Sequence, residues 1–303
     1  MPELFERDRS SYPWALLRSL RPHQWSKNLL LFVPLVAAHD WSATSSWLRL
    51  IVLFVAFNLA ASAAYLLNDL LDLDSDRRKP ARRRRPLAAG TLPLSWGLGA
   101  GLVCSGAALT LAGTLGTVCG AIVFCYLVGT TGYSLGLKRV PMLDVLVLAS
   151  FYAFRLAGGA VASAVALSPW LLALAMFFFL SLATAKRYAE LLHQHWDGTS
   201  ANPARGYRPE DMPQLNILGA SSGYLSVLVL VLYVNSDHVL KLYQHPYVIW
   251  AICPLQLYWI SRLWLLTHRG EFDEDPVVFA LKDRVSYVIA GLVLLVGWMA
   301  GPL

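Results

Sequence analysis

The stretch Tyr65-Leu-Leu-Asn-Asp-Leu-Leu-Asp-Leu-Asp-Ser-Asp76 carries four oxygen-donor side chains at spacings that suit one bound cation. On a helix, Asn68, Asp72 and Asp76 fall at i, i+4 and i+8 on one face, and Asp69 borders that face. Carboxylates so placed repel one another unless a cation lies between them. Magnesium takes a few carboxylate oxygens and completes its shell with water and phosphate. The set therefore suits Mg2+ joining the protein to a diphosphate leaving group, with Asp69, Asp72 and Asp76 as the catalytic carboxylates. The glycine and terminal glutamate of a calcium-binding EF-hand loop are missing. The plain alternative is a solvated, charged helix end.

Directly after it comes Arg77-Arg-Lys-Pro-Ala-Arg-Arg-Arg-Arg-Pro86. Such a run can orient a membrane protein or contact anionic lipid. Beside a metal–diphosphate site it has a third use, and Arg77, Arg83 and Arg85 are expected to take phosphate oxygens. Lys27, in Arg21-Pro-His-Gln-Trp-Ser-Lys27, is expected to do the same. Asp144 and Arg155 share a face at i and i+11, with Arg155 roughly 16 Å further along at a 1.5 Å rise. A charge at that depth in a membrane helix marks a functional site by default. Tyr133 and Lys138 lie at the same end as Asp144. His193 and His195, two apart, point to different helix faces and carry no metal expectation. Cys104, Cys119, Cys125 and Cys253 all sit in apolar runs, which reads as buried small hydrophobes.

The elements that must position these groups are membrane helices. The 303 residues are 56% apolar and 15% charged, with mean hydropathy +0.50. A soluble chain averages about 25% charged residues, so an all-α polytopic membrane protein is expected. Nine spans are read, at about 28–38, 46–68, 92–113, 115–136, 142–162, 168–186, 214–234, 246–267 and 285–302. They form one domain over 1–303, with a short polar segment at 1–20. That segment lacks the layout of a cleaved signal peptide, so insertion is expected to start from the first span. Of the 25 Lys and Arg residues, all but Arg49, Arg155 and Lys241 fall on the side of the N-terminus and the even-numbered loops. The positive-inside rule puts that side, and with it the candidate site, in the cytoplasm of an inner-membrane protein. Most carboxylates share that side, which implies a polar cavity opening to the cytoplasm. The basic run is too short and too close to the bilayer to serve as a nucleic-acid patch, and no nucleic-acid partner is expected.

At the Asn68–Asp76 signature the chain resembles the UbiA superfamily of intramembrane prenyltransferases, which have nine spans and an N-D-x-x-D-x-x-x-D motif after the second. Four stretches resemble the decaprenyl-phosphate phosphoribosyltransferase branch: Arg21 to Asn28, Asn68 to Gly90, Lys186-Arg-Tyr-Ala-Glu-Leu191 and Ala280-Leu-Lys-Asp-Arg-Val285. That branch makes a lipid donor for arabinofuranose. The aromatic prenyltransferases carry a second motif, D-x-x-x-D, after the sixth span, and it binds a second magnesium. Here its place reads Lys186-Arg187-Tyr188-Ala189-Glu190, and cations there suit two phosphorylated substrates better than a neutral aromatic acceptor. The resemblance implies Lys186, Arg187, Tyr188, Glu190, Asp283 and Arg284 as further substrate-binding residues.

The function so implied is transfer of 5-phosphoribosyl from phosphoribosyl pyrophosphate (PRPP) to a polyprenyl phosphate, releasing diphosphate, with Mg2+ as cofactor and membrane lipid as surroundings. The attacking phosphate is already anionic, so no general base is required. The rival within the superfamily is an aromatic or quinone-type prenyltransferase using a prenyl diphosphate donor. A transporter is the remote alternative, since transporters show inverted repeats and midplane breaks rather than charges crowded at one face. A homo-oligomer is compatible with all of these readings.

Overall fold

The computed structural model describes residues 12–39, 43–78, 80, 82–196, 206–272, 276–280 and 282–301. Every regular element among the described residues is helical. In chain order they are α1 (Tyr12–Leu20), a 3-10 segment Pro22–Phe32, α2 (Val33–Ala37), α3 (Thr44–Leu71), α4 (Leu73–Arg78), α5 (Leu94–Thr114) and α6 (Thr117–Leu135). There follow α7 (Leu143–Ser163), α8 (Pro169–Trp196), α9 (Met212–Val234), α10 (Asp237–Leu242), α11 (Ile252–His268), α12 (Pro276–Ala280) and α13 (Arg284–Ala300).

Among the described residues, seven helical stretches are long and apolar enough to cross a membrane: α3, α5, α6, α7, Pro169–His193, Pro209–Val234 and Pro246–His268. The two remaining sequence expectations are shorter in the structure. The run expected at 28–38 is the end of the 3-10 segment followed by the five-residue α2, and α13 has 17 residues.

The chain forms two compact units. The first comprises the described residues of Met1–Val33, Ser42–Leu137 and Gly158–Ala164. Its axis is α3, which at 28 residues and a rise of about 1.5 Å outruns a hydrocarbon core of about 30 Å. The excess amounts to about two turns, and Asn68 and Asp69 lie in the last turn of the helix. Leu53, Ala56, Phe57, Ala60 and Ala63 of α3 are buried, and the alanines among them let α5 and α6 pack closely against it. α5 and α6 are joined by a tight turn in which Gly116 has φ 127°, a value side chains rarely adopt.

The 3-10 segment is pinned to α3 by polar ties. Asn28 Nδ2 donates to Asn58 Oδ1 (2.7 Å), Trp25 Nε1 to Ser62 Oγ (3.1 Å), and Ser62 Oγ to the Leu20 carbonyl (2.9 Å). A Cβ on Gly159 would stand 2.0 Å from the Leu31 carbonyl oxygen, so only glycine permits this approach of backbones.

The second unit comprises the described residues of Pro34–Trp41, Lys138–Ala157 and Val165–Leu303. α8 and α9 pack together along their lengths, and α11 lies against both. Gly219 and Gly223 of α9 make room for Trp264 and Ile260 of α11. Trp264 Nε1 donates to Ser181 Oγ of α8 (3.0 Å), which satisfies the indole inside an apolar layer.

Candidate active site

The acidic signature sits where α3 ends. The helix stops at Leu71, Asp72 follows with φ −94° and ψ 8°, and α4 resumes at Leu73. The i→i+4 backbone bonds survive this break: Asp72 N–H donates to Asn68 (2.9 Å) and Asp76 N–H to Asp72 (2.8 Å). The helical spacing expected from sequence therefore holds across a locally loosened turn. Asp69 and Asp76 are buried, while Asn68 and Asp72 are half-buried.

Arginines hold both buried carboxylates. Arg85 Nη1 donates to Asp69 Oδ1 (3.0 Å) and to Asp76 Oδ2 (2.5 Å). Arg21 Nη2 donates to the same Asp69 oxygen (2.6 Å), and its guanidinium lies 5.0 Å over the Tyr65 ring. Arg82 Nη1 stands 3.8 Å from Asp76 Oδ1, beyond hydrogen-bond reach, and that buried oxygen has no hydrogen-bond partner. Burial pushes the Asp76 carboxyl up from its usual range, against the pull of Arg85 and then Arg82. Burial, followed by the charges of Arg21 and Lys27, pushes the His23 imidazole down.

The Arg85 side chain is placed by apolar anchoring. Leu87, two residues on, is buried with Leu66 of α3 and Leu92, and Gly97 of α5 lies against it. The Ala89 amide closes a turn on the Arg85 carbonyl (2.8 Å), and Gly90 at φ 70° lets the chain leave. Of the other predicted phosphate-binding residues in this unit, Arg77 and Arg83 are exposed, while Lys27 and Tyr133 are half-buried. Lys79 lies outside the described residues.

A second cluster belongs to the other unit. Arg187 grips Asp144 with two donors, Nε to Oδ2 (2.5 Å) and Nη2 to Oδ1 (3.2 Å). Its Nη1 donates to Glu190 Oε2 (2.7 Å). Asp144 and Arg187 are buried, whereas the Glu190 side chain is about a third exposed. Three predicted residues thus form one network. Tyr188 is buried, with its hydroxyl 2.8 Å from His268 Nδ1. Lys138 is buried and Lys186 half-buried. Arg155 is buried, donates to the Phe151 carbonyl (2.6 Å) and lies 5.3 Å from the Tyr152 ring centre.

Asp283 serves first as a structural group. It caps α13 by accepting from Ser286 N–H (2.8 Å), and it holds Arg262 through two bonds (2.8 and 3.0 Å). Arg284 is exposed. His193 stands edge-on to Trp196 with ring centres 5.8 Å apart, while the His195 side chain and residues 273–275 lie outside the described residues.

Sequence reasoning passed over Arg21, Arg82 and His268 as site residues. The signal for Arg21 was its place in Arg21-Pro-His-Gln-Trp-Ser-Lys27, where Lys27 was preferred. Its contact with Asp69, 48 residues away, is visible only in the fold.

The oxygen-only donor set and the unpartnered Asp76 Oδ1 fit a hard divalent cation. Among the described residues no three His, Cys, Asp or Glu side chains converge as a formed metal site, and arginines pair with Asp69 and Asp76.

The acidic cluster at the end of α3, with arginines around it, thus belongs to a helical chain with seven stretches long and apolar enough to cross a membrane among the described residues. Residues 29–282 match the UbiA prenyltransferase family, and the chain belongs to that family. It is 37% identical to the uncharacterized protein y4nM of Sinorhizobium fredii, across 91% of this chain and 54% of that one. With the nodulation protein NoeC of Azorhizobium caulinodans it shares 35% identity, across 90% and 89% of the two chains. With decaprenyl-phosphate phosphoribosyltransferase of Corynebacterium glutamicum the identity is 35%, across 64% of this chain and 60% of that one. The chain thus spans little more than half the length of some curated relatives and most of NoeC. The fold matches that of an Archaeoglobus fulgidus UbiA homolog bound to DMAPP and Mg2+, with TM-score 0.69, 14% identity, and 94% and 98% of the two chains covered.

Proposed function

We propose that this enzyme transfers 5-phosphoribosyl from PRPP to a polyprenyl phosphate, releasing diphosphate and making a lipid-linked phosphoribose for arabinofuranose donors. The observation that carries this reading is the similarity to the decaprenyl-phosphate phosphoribosyltransferases. The sequence at Lys186-Arg187 supports it, since cations in place of a second acidic motif suit two phosphorylated substrates; Arg187 itself is held by Asp144 and Glu190.

In this reading Asn68, Asp69, Asp72 and Asp76 hold Mg2+, which when bound polarises the diphosphate leaving group of PRPP. The basic residues beside them, Arg85, Arg83, Arg77 and Lys27, bind and orient phosphate oxygens. A polyprenyl phosphate oxygen attacks the anomeric carbon as the bond from that carbon to the diphosphate breaks. The transition state has oxocarbenium character, so positioning and charge stabilisation carry the catalysis. The attacking phosphate is already ionised, and no histidine or cysteine base is assigned. Lys186, Tyr188 and Arg155 are assigned to the second substrate. In this reading the site faces the cytoplasm of the inner membrane, which the distribution of Lys and Arg supports.

The test is incubation of purified protein with labelled PRPP, Mg2+ and polyprenyl phosphate, with labelled lipid the expected product. Prenylation of 4-hydroxybenzoate from a prenyl diphosphate, without labelled lipid, would establish the aromatic prenyltransferase reading instead. Asp72→Asn is expected to lower turnover at least a hundredfold, and a fully active variant removes the metal assignment.

A further inference from the structure

Two guanidinium groups occupy the acidic cluster in this structure. Asp69 Oδ1 accepts from both Arg21 (2.6 Å) and Arg85 (3.0 Å), and Arg85 continues to Asp76 Oδ2 (2.5 Å). Meanwhile Asp76 Oδ1, fully buried, has no hydrogen bond. One carboxylate oxygen is thus doubly engaged while its neighbour has none. A cluster optimised for permanent arginine pairing would spread its donors over both oxygens, because an unbonded buried oxygen costs about 1–3 kcal/mol.

We propose that Arg21 and Arg85 are exchangeable counter-ions of the cluster. In the ligand-free enzyme they neutralise Asp69 and Asp76. When a divalent cation arrives with a diphosphate, they leave the carboxylates and close on the diphosphate oxygens. The inference rests on the metal assignment above and goes beyond it by fixing the order of events.

In both states each charged group faces groups of opposite sign. Without ligand, the two carboxylates face Arg21 and Arg85, with Arg82 3.8 Å from Asp76. With ligand, the carboxylates face the dication and the guanidiniums face the diphosphate. A dication cannot approach Asp69 while two guanidiniums stand within 3.0 Å of it, since like charges at such separations repel strongly in a partly desolvated site. The arginines must move, and a planar guanidinium matches a phosphate edge through two parallel bonds.

Both side chains can make the exchange. Their relative exposure is 21% and 23%, against 3% and 1% for the carboxylates they hold, so the arms reach solvent while their partners do not. Arg21 stands at the α1–3-10 junction with φ 54°, and Arg85 rides on a turn anchored by Leu87. Neither is committed to the interior of a long helix. The consequence is strong coupling: metal alone binds weakly because it must displace guanidiniums that have nowhere favourable to go, and diphosphate supplies that destination. By thermodynamic reciprocity each ligand raises the affinity of the other by the same factor.

The test measures Mn2+ binding to the full chain by electron paramagnetic resonance, with and without inorganic pyrophosphate. In the unsubstituted protein pyrophosphate is expected to tighten Mn2+ binding at least tenfold, after correction for the free Mn2+–pyrophosphate complex. In Arg85→Gln, and separately in Arg21→Gln, Mn2+ alone is expected to bind at least tenfold more tightly, with coupling to pyrophosphate reduced. Arg85→Lys, which keeps the charge but loses the bidentate fork, is expected to lie between. Mn2+ binding that is unchanged or weaker in both glutamine variants, each verified as folded by its thermal transition, overturns the exchange. Absence of Mn2+ binding in every form, even with pyrophosphate, overturns it together with the metal assignment. The choice between PRPP and a prenyl diphosphate does not enter, because pyrophosphate is common to both.

Discussion

Asp283 illustrates how a residue matched to a family motif takes on a structural role. Its carboxylate caps α13 and pairs with Arg262, whose guanidinium also lies 5.9 Å from the Phe279 ring centre. Burial alone would raise its pKa, but the bonds from Arg262 and Ser286 outweigh that and hold it below 3.8. A carboxylate whose folded pKa is depressed adds stability above its unfolded pKa, and loses it as pH falls through the folded value. Asp283→Asn keeps a capping oxygen and loses the ion pair. The variant is expected to be about 1 kcal/mol less stable near neutral pH, a figure kept small because both groups are partly solvated. The gap should close as pH drops below 3.8, as read by thermal unfolding of the detergent-solubilised proteins. Arg49 is a second instance. It stands apart from the basic side of the sequence, and the structure shows it bonding the carbonyls of Ala162 and Leu115, both at 2.8 Å. A cation at two helix C-termini neutralises the partial charge that unpaired carbonyls leave there.

Helices place the chemistry by how closely they can approach one another. The 3-10 segment carries Lys27 and follows directly on Arg21, and its backbone runs against Gly159 at Leu31. Gly159→Ala would drive a methyl group into a carbonyl oxygen that cannot rotate away. The expected cost is about 3 kcal/mol, seen as a lower unfolding temperature with weakened substrate binding as the segment shifts. Gly106→Ala is the matching control: a Cβ there meets nothing within 4 Å, and alanine favours helix over glycine by about 1 kcal/mol. That variant should be as stable as the parent or slightly more so.

At the scale of the whole molecule, the asymmetry of Lys and Arg gives a prediction about orientation. Alkaline phosphatase inserted at Lys241, in a connection between spans on the side opposite the N-terminus, should be active. The same reporter inserted within the Arg82–Arg85 run should be inactive. Equal activity at both positions would remove the assignment of the site to the cytoplasm. This arrangement also bears on which spans the sequence made plain. Seven appear as long apolar helices, because an uninterrupted run near 20 residues leaves no other way to satisfy backbone groups in hydrocarbon. The first was read as one short run, yet it folds as a 3-10 segment and a brief helix, with Pro22 at the segment's start and Pro34 in α2.

The sequence by itself determined the helical membrane class, the family resemblance and the candidate acidic motif, because each depends on composition or on spacing within a few turns. The i→i+4 geometry from Asn68 to Asp76 is local, and it persisted through the break at Asp72. Only the tertiary structure decided what those carboxylates touch. The Arg21–Asp69 pair spans 48 residues and the Arg187–Asp144 pair spans 43, and no periodicity encodes which cation meets which anion. The physical reason is that buried charges must be neutralised by whatever the packing brings within reach. That packing is set by glycines, small residues and leucine anchors far from the motifs themselves.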